Sequence, residues 1–413
     1  MITLNVWRRT PDGDRLRAGQ IRVAAPDPTR GGRLKGEFRY DPGYLEQPQA
    51  LALALDPIHL PLKSGIFAAD RPHAGIHGVF EDSLPDAWGR GLLIRRHRLP
   101  RSHQDPAHLL LYLGQNGLGA LAYQVAGSDD IPPPAPPTSP HDTLALIEAA
   151  ERYDLNPAGL ADDDLAALFR AASSPGGARP KLIVEHQGAS CIAKLGSHRD
   201  RVDLVRVEAA CLALAAAAGL EIPSFQVVEF GRHPALIIER FDVCGNQGRR
   251  HMLSMQTLAG ADGWYQLGYA DLADLVRRLS DRPEVDLPAL YRQMVFNAFI
   301  GNTDDHLKNF SLLHRDHAWR LSPAYDLTPD EPQRGEHVLH FGPAGYEPSA
   351  NALAALASAF GLSSRKARQI RDKVTSVMAG WRERFLDYGV LPLDLELLAP
   401  GIELRRKRCT ESG

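Results

Sequence analysis

Cysteine is scarce in this chain, with four residues among 413. Cys191, Cys211, Cys244 and Cys409 include no C-x-x-C pair, and their spacing matches neither a zinc site nor a disulfide framework. Long apolar runs are also lacking, because no window approaches the length of a membrane-spanning helix. The first residues do not show the charged-then-apolar layout of a secretory signal peptide. We therefore expect reduced thiols and a cytoplasmic protein.

An excess of charge of either sign is lacking as well. The 47 lysines and arginines nearly balance the 50 aspartates and glutamates, which gives a formal net charge of −3. This balance gives no global signal of binding to nucleic acid or to a membrane. The hydrophobic fraction of 44% is normal for a globular protein, and the length predicts two or three domains.

A proline-rich segment, "SDDIPPPAPPTSPHD", divides the sequence. Its prolines favour extended geometry without a packed core, so we predict a linker at 128–142. Strand-like runs broken by Gly, Asp and Pro precede it and predict a strand-rich N-terminal module at 1–127. After the linker, 143–245 is predicted to be strand-rich and 246–413 mostly helical.

A glycine loop, "SSPGGARPK", spans 173–181. Gly176 and Gly177 allow a ligand to approach the main chain closely, and such a loop can place N–H groups around phosphates. The loop lacks the Walker A pattern, and Pro175 and Pro180 remove two donors. A plain turn between a helix and a strand is the alternative.

A lysine lies inside the short apolar strand "SCIAKLG". Lys194 must either extend its ammonium to water or meet an anion. Glu208 lies in the next helix, and protein kinases hold a phosphate-binding lysine by such a strand-to-helix pair. The alternative is an edge lysine and an exposed glutamate that never meet.

The segment "NTDDHLKN" concentrates charge and amide groups directly after an apolar run. Asp304 and Asn309 have the D-x-x-x-x-N spacing that supplies kinases with a general base and a metal-binding amide. Asp326 follows in "LSPAYDLTP" and could supply a second oxygen ligand to Mg²⁺. Alternatively, the cluster is a capped helix end followed by a solvated turn.

Taken together, these segments resemble the HipA family of serine/threonine kinase toxins from bacterial toxin–antitoxin systems. The similarity rests on "SSPGGARPK", "GNTDDHLKNFSLL", "LSPAYDLTP" and "IIERFDV", and on "FEDSLPDAWGRGLLIRR" and "GQNGLGALAY" in the N-terminal module. The resemblance implies an α+β, two-lobed protein-kinase-like fold with an additional strand-rich N-terminal module. It also implies ATP and Mg²⁺.

The resemblance assigns roles to individual residues. Asp304 would be the catalytic base, and Asn309 and Asp326 would bind the metal. Ser174, or Ser173 beside it, would be the autophosphorylation site in the glycine loop. Contacts to ATP would come from Gly176, Gly177, Ala178, Lys181, Lys194, Glu208, Glu239, Phe241, His306, Lys308, Asn309 and Tyr325, with Glu239 and Phe241 acting through their main chain.

The resemblance also implies partners. Family members usually pair with a helix-turn-helix antitoxin of the HipB type, which would carry the contact to operator DNA, and no membrane is involved. The implied activity is phosphorylation of a cellular protein, an aminoacyl-tRNA synthetase for some members, with growth arrest. The target, the antitoxin, toxicity and the oligomeric state do not follow from the sequence.

Three other functions stay open at this point. The same site could phosphorylate a small molecule or lipid, because the fold does not determine the acceptor. The chain could be a non-catalytic ATP-binding co-repressor, with the basic runs "SSRKARQIRDK" and "LRRKRC" near DNA. A metal hydrolase is the weakest alternative, because its candidate ligands lack a known spacing. Those ligands would be Asp304, Asp305, His306, His337 and His340.

Overall fold

The computed structural model describes residues 1–25, 34–48, 51–69, 71, 74–127, 140–171, 179–245, 247–263, 265–330 and 335–411. Five predicted site residues of the glycine loop lie outside this set: Ser173, Ser174, Gly176, Gly177 and Ala178. Residues 128–139 of the predicted linker lie outside it too. The chain divides into two compact units. The first unit comprises Met1–His198, Glu239–Asp262 and Leu313–His317, and the second comprises Arg199–Ile238, Gly263–Leu312 and Ala318–Gly413.

Strands and helices are mixed along the chain, and the strands form several separate sheets. The α-helices are α1 (Pro42–Leu45), α2 (Gly78–Glu81), α3 (Ala87–Arg96), α4 (Pro106–Leu113), α5 (Pro140–Leu155), α6 (Asp162–Ala171), α7 (Leu204–Ala217), α8 (Met255–Leu258), α9 (Tyr269–Leu279), α10 (Pro283–Ile300), α11 (Ala350–Leu356), α12 (Ser364–Ala379), α13 (Trp381–Asp387) and α14 (Pro392–Thr410). The strands are β1 (Ile2–Arg9), β2 (Arg15–Val23), β3 (Gly36–Tyr40), β4 (Phe67–Ala68), β5 (Leu121–Val125), β6 (Lys181–His186), β7 (Ala189–Leu195), β8 (Phe225–Phe230), β9 (His233–Glu239), β10 (Val243–Cys244), β11 (Gly248–Arg249), β12 (Met252–Ser254), β13 (Ser311–Arg315) and β14 (Ala318–Leu321). The predicted α+β class is confirmed. In the part of the chain that the structure describes, no helix combines the length and apolar character that crossing a bilayer requires.

The first unit opens with a five-stranded antiparallel sheet of order β4-β3-β2-β1-β5. The three strands predicted at the start of the sequence are β1, β2 and β3. Leu4 and Val6 of β1 and Phe38 of β3 are fully buried and form part of its core. The β1–β2 register shifts between Val6 and Trp7, where a bulge interrupts the ladder.

The family motif "FEDSLPDAWGRGLLIRR" supplies buried polar links within the first unit. Glu81 Oε2 accepts a hydrogen bond from Arg71 Nη1 at 2.6 Å. The Asp82 carboxylate accepts from the main-chain N–H of Ser254 at 2.9 Å and from its hydroxyl at 2.8 Å. Burial raises the pKa of Asp82, although both bonds from Ser254 oppose this shift. Asp86 caps the N-terminus of α3. These residues stabilise the local structure of the unit.

The second unit is built around α10, whose last eight residues are all buried. A helix that is buried on every side needs neighbours around it, and α10 packs against α9, α12 and α14. The predicted Ala-rich helix is α7, and its N-cap Asp203 accepts a bond from the Arg206 N–H at 3.2 Å. Helix α13 packs against α7 and contributes the buried rings of Trp381 and Phe385.

Candidate active site

Helix α10 ends at a glycine and leads into residues 302–309, the candidate catalytic loop. Gly301 has a φ of +79°, and its N–H bonds to the Asn297 carbonyl at 3.0 Å. The N–H of Asn302 bonds to the same carbonyl at 3.0 Å. A Cβ at Gly301 would lie 2.8 Å from Cδ of Arg405. Glycine is therefore required for the left-handed backbone conformation and for the close approach of Arg405.

The two adjacent aspartates of the loop face opposite environments. The side chain of Asp304 is 77% exposed, whereas that of Asp305 is fully buried. Asp305 Oδ2 accepts hydrogen bonds from the Tyr269 hydroxyl at 2.6 Å and from His337 Nδ1 at 2.8 Å. Asp305 Oδ1 accepts from the main-chain N–H of Val338 at 2.8 Å. These donors satisfy the Asp305 carboxylate, so Asp304 is the member of the pair that a bound molecule can reach.

Asn309 is tied back to Asp304 across the loop. The buried Asn309 ends the 3₁₀ turn Leu307–Asn309, and its Nδ2 donates to the Asp304 carbonyl at 2.8 Å. This bond engages the amide nitrogen and turns Oδ1 to the opposite side of the group. His306 Nε2 lies 3.9 Å from Asp304 Oδ1. The D-x-x-x-x-N spacing therefore corresponds to one compact turn that exposes a carboxylate beside an oriented amide.

The segment that carries Asp326 is bonded to the same loop. Tyr325, which was predicted as a nucleotide contact, donates its hydroxyl to the Lys308 carbonyl at 2.8 Å and lies 2.7 Å from the Ser311 hydroxyl. Asp326 has a φ of +51°, a left-handed conformation that aspartate adopts more readily than most residues. Its carbonyl accepts from Asn302 Nδ2 at 3.2 Å. Hydrogen bonds thus link the Tyr325–Asp326 segment to both ends of the loop.

The polar groups of these segments suit a hard cation. The Asn309 amide oxygen and the Asp326 carboxylate are oxygen donors, and Mg²⁺ commonly takes one or two such groups together with water and phosphate oxygens. Among the described residues, no cluster of three or more His, Cys, Asp and Glu side chains could hold a metal ion by itself. The Asn309 amide and the Asp326 carboxylate are thus donors of the kind that Mg²⁺ takes.

Two predicted lysines share one face of a hairpin in the first unit. Lys181 of β6 is paired directly opposite Lys194 of β7. Residues opposite each other in an antiparallel pair project to the same face, which here also carries the half-buried Ile183 and Ile192. Lys181 is itself only 6% exposed. The hairpin register thus places two lysines on one face of this sheet.

The predicted hinge residues Glu239 and Phe241 alternate along the chain with the two members of a buried ion pair. Arg240 binds Asp242 with two hydrogen bonds, of 3.0 and 2.7 Å. Burial favours the neutral acid, but the Arg240 charge and its bonds outweigh burial and lower the pKa of Asp242. Glu239 is exposed, and the Phe241 carbonyl accepts from Arg250 Nη1 at 2.9 Å. The ion pair thus joins the residues on either side of Phe241.

Glu208, the predicted partner of Lys194, lies on α7 in the second unit and is 7% exposed. Burial raises the pKa of Cys211, and the charge of Glu208 adds to that effect. Lys194 belongs to the first unit, so the ion pair between the two residues stays a prediction.

Sequence reasoning missed the buried residues beneath the loop. Tyr269, Asn297 and Asn302 are not among the predicted site residues. His337 is predicted only as a hydrolase ligand, and Asp305 as a hydrolase ligand or as part of a solvated turn. The available signal was an asparagine within the otherwise apolar run "VFNAFI", because a buried amide requires polar partners. Burial raises the pKa of Tyr269, and the Asp305 charge adds to this, so the tyrosine remains a hydroxyl donor.

Comparison with known families identifies two matching regions. The family model described as HipA-like C-terminal domain matches residues 173–381, which is about half of the chain. The model described as HipA N-terminal domain matches residues 17–124.

Comparison with individual proteins finds relatives along most of the chain. The candidate kinase Y4mE of Sinorhizobium fredii is 26% identical over 319 residues, covering 72% of this chain and 75% of the relative. Y4dM of the same organism, also a candidate kinase, is 27% identical over 315 residues, covering 70% of this chain and 71% of the relative. The serine/threonine-protein kinase toxin HipA of Shewanella oneidensis is 31% identical over 145 residues, covering 30% of this chain and 34% of the relative.

A solved structure shares the fold. The similar chain belongs to the complex of HipA, HipB and operator DNA from Shewanella oneidensis MR-1. The TM-score is 0.68 with 19% identity, and the alignment covers 98% of this chain and 96% of that one.

Proposed function

The chain belongs to the HipA family of kinases, and on that premise we propose that it is an ATP-dependent serine/threonine protein kinase of the toxin type. Its acceptor would be the hydroxyl group of a cellular protein. The arrangement of the candidate catalytic loop supports this proposal, because it exposes the Asp304 carboxylate directly beside the oriented amide of Asn309.

Asp304 is the proposed general base. The substrate hydroxyl gives its proton to the Asp304 carboxylate as its oxygen bonds to the γ-phosphorus of ATP. The bond from the γ-phosphorus to the bridging oxygen breaks, and ADP leaves. The exposure of Asp304 supports this role, since a general base must reach a hydrogen on a bound substrate.

Asn309 and Asp326 are the proposed ligands of Mg²⁺. When bound, the metal would neutralise negative charge on the transferring phosphates. The Asn309 bond to the Asp304 carbonyl supports the assignment, because it fixes the amide orientation before a metal binds. Tyr325 would keep the metal-binding segment attached to the loop through its bond to Lys308.

Lys181 and Lys194 are the proposed phosphate contacts of the first unit, with Glu208 orienting Lys194. Their opposed positions on β6 and β7 support this role. The other proposed nucleotide contacts come from the main chain of Glu239 and Phe241, from His306 and Lys308, and from the glycine-loop residues Gly176, Gly177 and Ala178. Autophosphorylation at Ser174, or Ser173, would add about −1.5 to −2 charge beside the nucleotide and disfavour its binding.

The proposed partner is a helix-turn-helix antitoxin of the HipB type. It is supported by the shared fold with the HipA, HipB and operator DNA complex. Operator DNA would be reached through that antitoxin, in the cytoplasm. Phosphorylation of a protein such as an aminoacyl-tRNA synthetase would arrest growth.

The test is transfer of radiolabelled γ-phosphate from ATP to proteins of a cell lysate. We expect labelled protein bands with the wild-type chain and at least about a hundredfold less label with Asp304→Asn. Asp372→Asn makes the same chemical change at an exposed position of α12 and is the matched control, for which full labelling is expected. Label found only in small molecules would favour the small-molecule or lipid phosphotransferase. No transfer from ATP by the wild-type chain would contradict the proposal.

A further inference from the structure

A chain of buried hydrogen bonds runs beneath the candidate catalytic loop. His337 Nδ1 and the Tyr269 hydroxyl both bond to Asp305 Oδ2, at 2.8 and 2.6 Å. The Tyr269 hydroxyl accepts from Asn297 Nδ2 at 3.1 Å, and Asn297 Oδ1 accepts from Asn302 Nδ2 at 3.2 Å. We refer to these five side chains as the buried polar chain. Each of the five residues is at most 3% exposed.

The buried polar chain reaches both proposed catalytic segments. Its member Asp305 is the neighbour of Asp304 in the loop. Its terminal member Asn302 also donates from Nδ2 to the Asp326 carbonyl at 3.2 Å. That carbonyl belongs to a residue in the left-handed conformation, which persists only where the surroundings hold it. One connected network therefore anchors the side chain of Asp305, next to Asp304, and the backbone carbonyl of Asp326.

The composition of the network is unusual for a purely structural core. Burying a phenol, two amides, a carboxylate and an imidazole is unfavourable unless their bonds are made with good geometry. Apolar side chains of the same volume would stabilise the interior without this requirement. Hydrogen bonds are directional, so the polar groups restrict the orientation of the segments that they bond.

We propose that the buried polar chain positions Asp326 to bind the divalent cation, with Tyr269 and Asn302 as its positioning residues. This inference rests on the proposed function, because it assumes that Asp326 is a metal ligand. Tyr269 acts through Asn297 and Asn302, and Asn302 acts through the Asp326 carbonyl. Removing the Tyr269 hydroxyl leaves Asn297 Nδ2 and Asp305 Oδ2 each without one partner and loosens the network at its centre.

The experiment compares two buried tyrosines of the second unit. Tyr269→Phe removes a hydroxyl from the buried polar chain. Tyr291→Phe removes one that donates to the Leu353 carbonyl at 2.7 Å, outside the chain. Both variants lose a buried hydrogen-bonding hydroxyl, so both should lower the melting temperature, Tyr269→Phe by more because it leaves two partners unsatisfied and Tyr291→Phe leaves one. Only Tyr269→Phe should weaken binding of Mn²⁺ in the presence of a non-hydrolysable ATP analogue, by about three- to tenfold as followed by electron paramagnetic resonance.

A second variant keeps the test independent of how well Tyr269→Phe folds. Asn302→Ala removes the donor to Asp326 directly and should weaken Mn²⁺ binding by at least as much. In the lysate transfer assay, Tyr269→Phe and Asn302→Ala should raise the metal concentration for half-maximal labelling, whereas Tyr291→Phe should leave it unchanged. These readouts separate positioning from a general loss of stability.

The possible outcomes distinguish the inference from the proposed function. If the wild-type chain with the nucleotide analogue does not bind Mn²⁺, the metal assignment itself fails. If the wild type binds Mn²⁺ and all three variants bind it equally well, the metal assignment stands and the positioning role is overturned. Equal weakening by Tyr269→Phe and Tyr291→Phe would also overturn it, because a general packing effect would then account for the loss.

Discussion

Asp304 and Asp305 have the same side chain and adjacent positions, and the contacts around them give them different uses. Donors to Asp305 come from the hydroxyl of Tyr269 at the start of α9 and from the imidazole of His337. Both lie more than 30 residues away along the chain. Because these donors take up the Asp305 carboxylate, Asp304 is left on the solvent side of the loop. At the residue scale, burial and partners decide the role.

This difference predicts opposite consequences for one substitution at the two positions. Asp304→Asn should lower phosphoryl transfer by at least about a hundredfold and change the free energy of unfolding by less than about 0.5 kcal/mol. Asp305→Asn should lower the free energy of unfolding by about 2–4 kcal/mol, because an amide cannot accept all the bonds that the buried carboxylate accepts. Urea titrations of both variants, with a transfer assay, measure this. Equal destabilisation at both positions would contradict the assignment.

The ends of elements carry the candidate site. The loop begins where α10 stops, and the Gly301 conformation sets the direction in which the chain leaves the helix. The lysine pair arises in a similar way, because the short turn between β6 and β7 fixes the register that places Lys181 opposite Lys194. At the element scale, the backbone conformation at the ends of helices and strands decides which residues of a given spacing come close together.

The C-terminus of α10 can be tested with a matched pair of glycines. Gly301→Ala and Gly361→Ala both place a Cβ on a left-handed residue, with φ values of +79° and +66°. No atom lies within 4 Å of a Cβ at Gly361, whereas Arg405 lies 2.8 Å from one at Gly301. Both variants should lose about 1 kcal/mol of unfolding free energy from the backbone. Gly301→Ala should lower the free energy of unfolding by about 1–3 kcal/mol more, because of the contact with Arg405. It should also lower phosphoryl transfer.

Denaturation curves and the transfer assay measure the two glycine variants. Gly361→Ala controls for the backbone term, so the difference between the variants reports the contact with Arg405. If the two variants were equally stable and equally active, the close approach of Arg405 would have no energetic consequence.

At the scale of the molecule, the first unit buries histidines as neutral groups. Burial lowers the pKa of His77, His251 and His314 to about 4 in each case, from an ordinary value of 6.5. The imidazole Nε2 of His251 lies 2.7 Å from the Leu55 carbonyl. The main-chain N–H of His314 donates to the main-chain carbonyl of His251 at 2.8 Å. The fold thus holds imidazoles in places where an added proton is unfavourable.

The stability of the protein should therefore fall as the pH falls below about 6.5. Between about pH 6.5 and pH 4 the unfolded chain binds protons at these histidines while the folded chain does not, so acid favours unfolding. At pH 5 the loss is about 2 kcal/mol for each of His77 and His251, and smaller for the half-buried His314. Urea midpoints measured from pH 7.5 to pH 5 test this. His251→Gln should reduce the slope, and a flat profile would contradict the assignment.

The architecture was easier to predict than the site. Alternating apolar residues identified β1, β2 and β3, and the Ala-rich run identified α7, because each pattern reflects contacts local in sequence. The proposed base was chosen from the five-residue spacing of Asp304 and Asn309, and the structure joins these two residues by a hydrogen bond. The glycine loop and its serines lie outside the described residues, so their roles stay predictions.

The sequence by itself determined the α+β class, the order of the motifs and the spacing of Asp304, Asn309 and Asp326. These properties depend on local periodicity and on residue type, which can be read along one chain. Only the tertiary structure decided that Asp305 is buried against Tyr269 and His337, and that Asn302 holds the backbone of Asp326. Such contacts join residues distant in sequence, and they depend on how the helices pack, which no local pattern encodes.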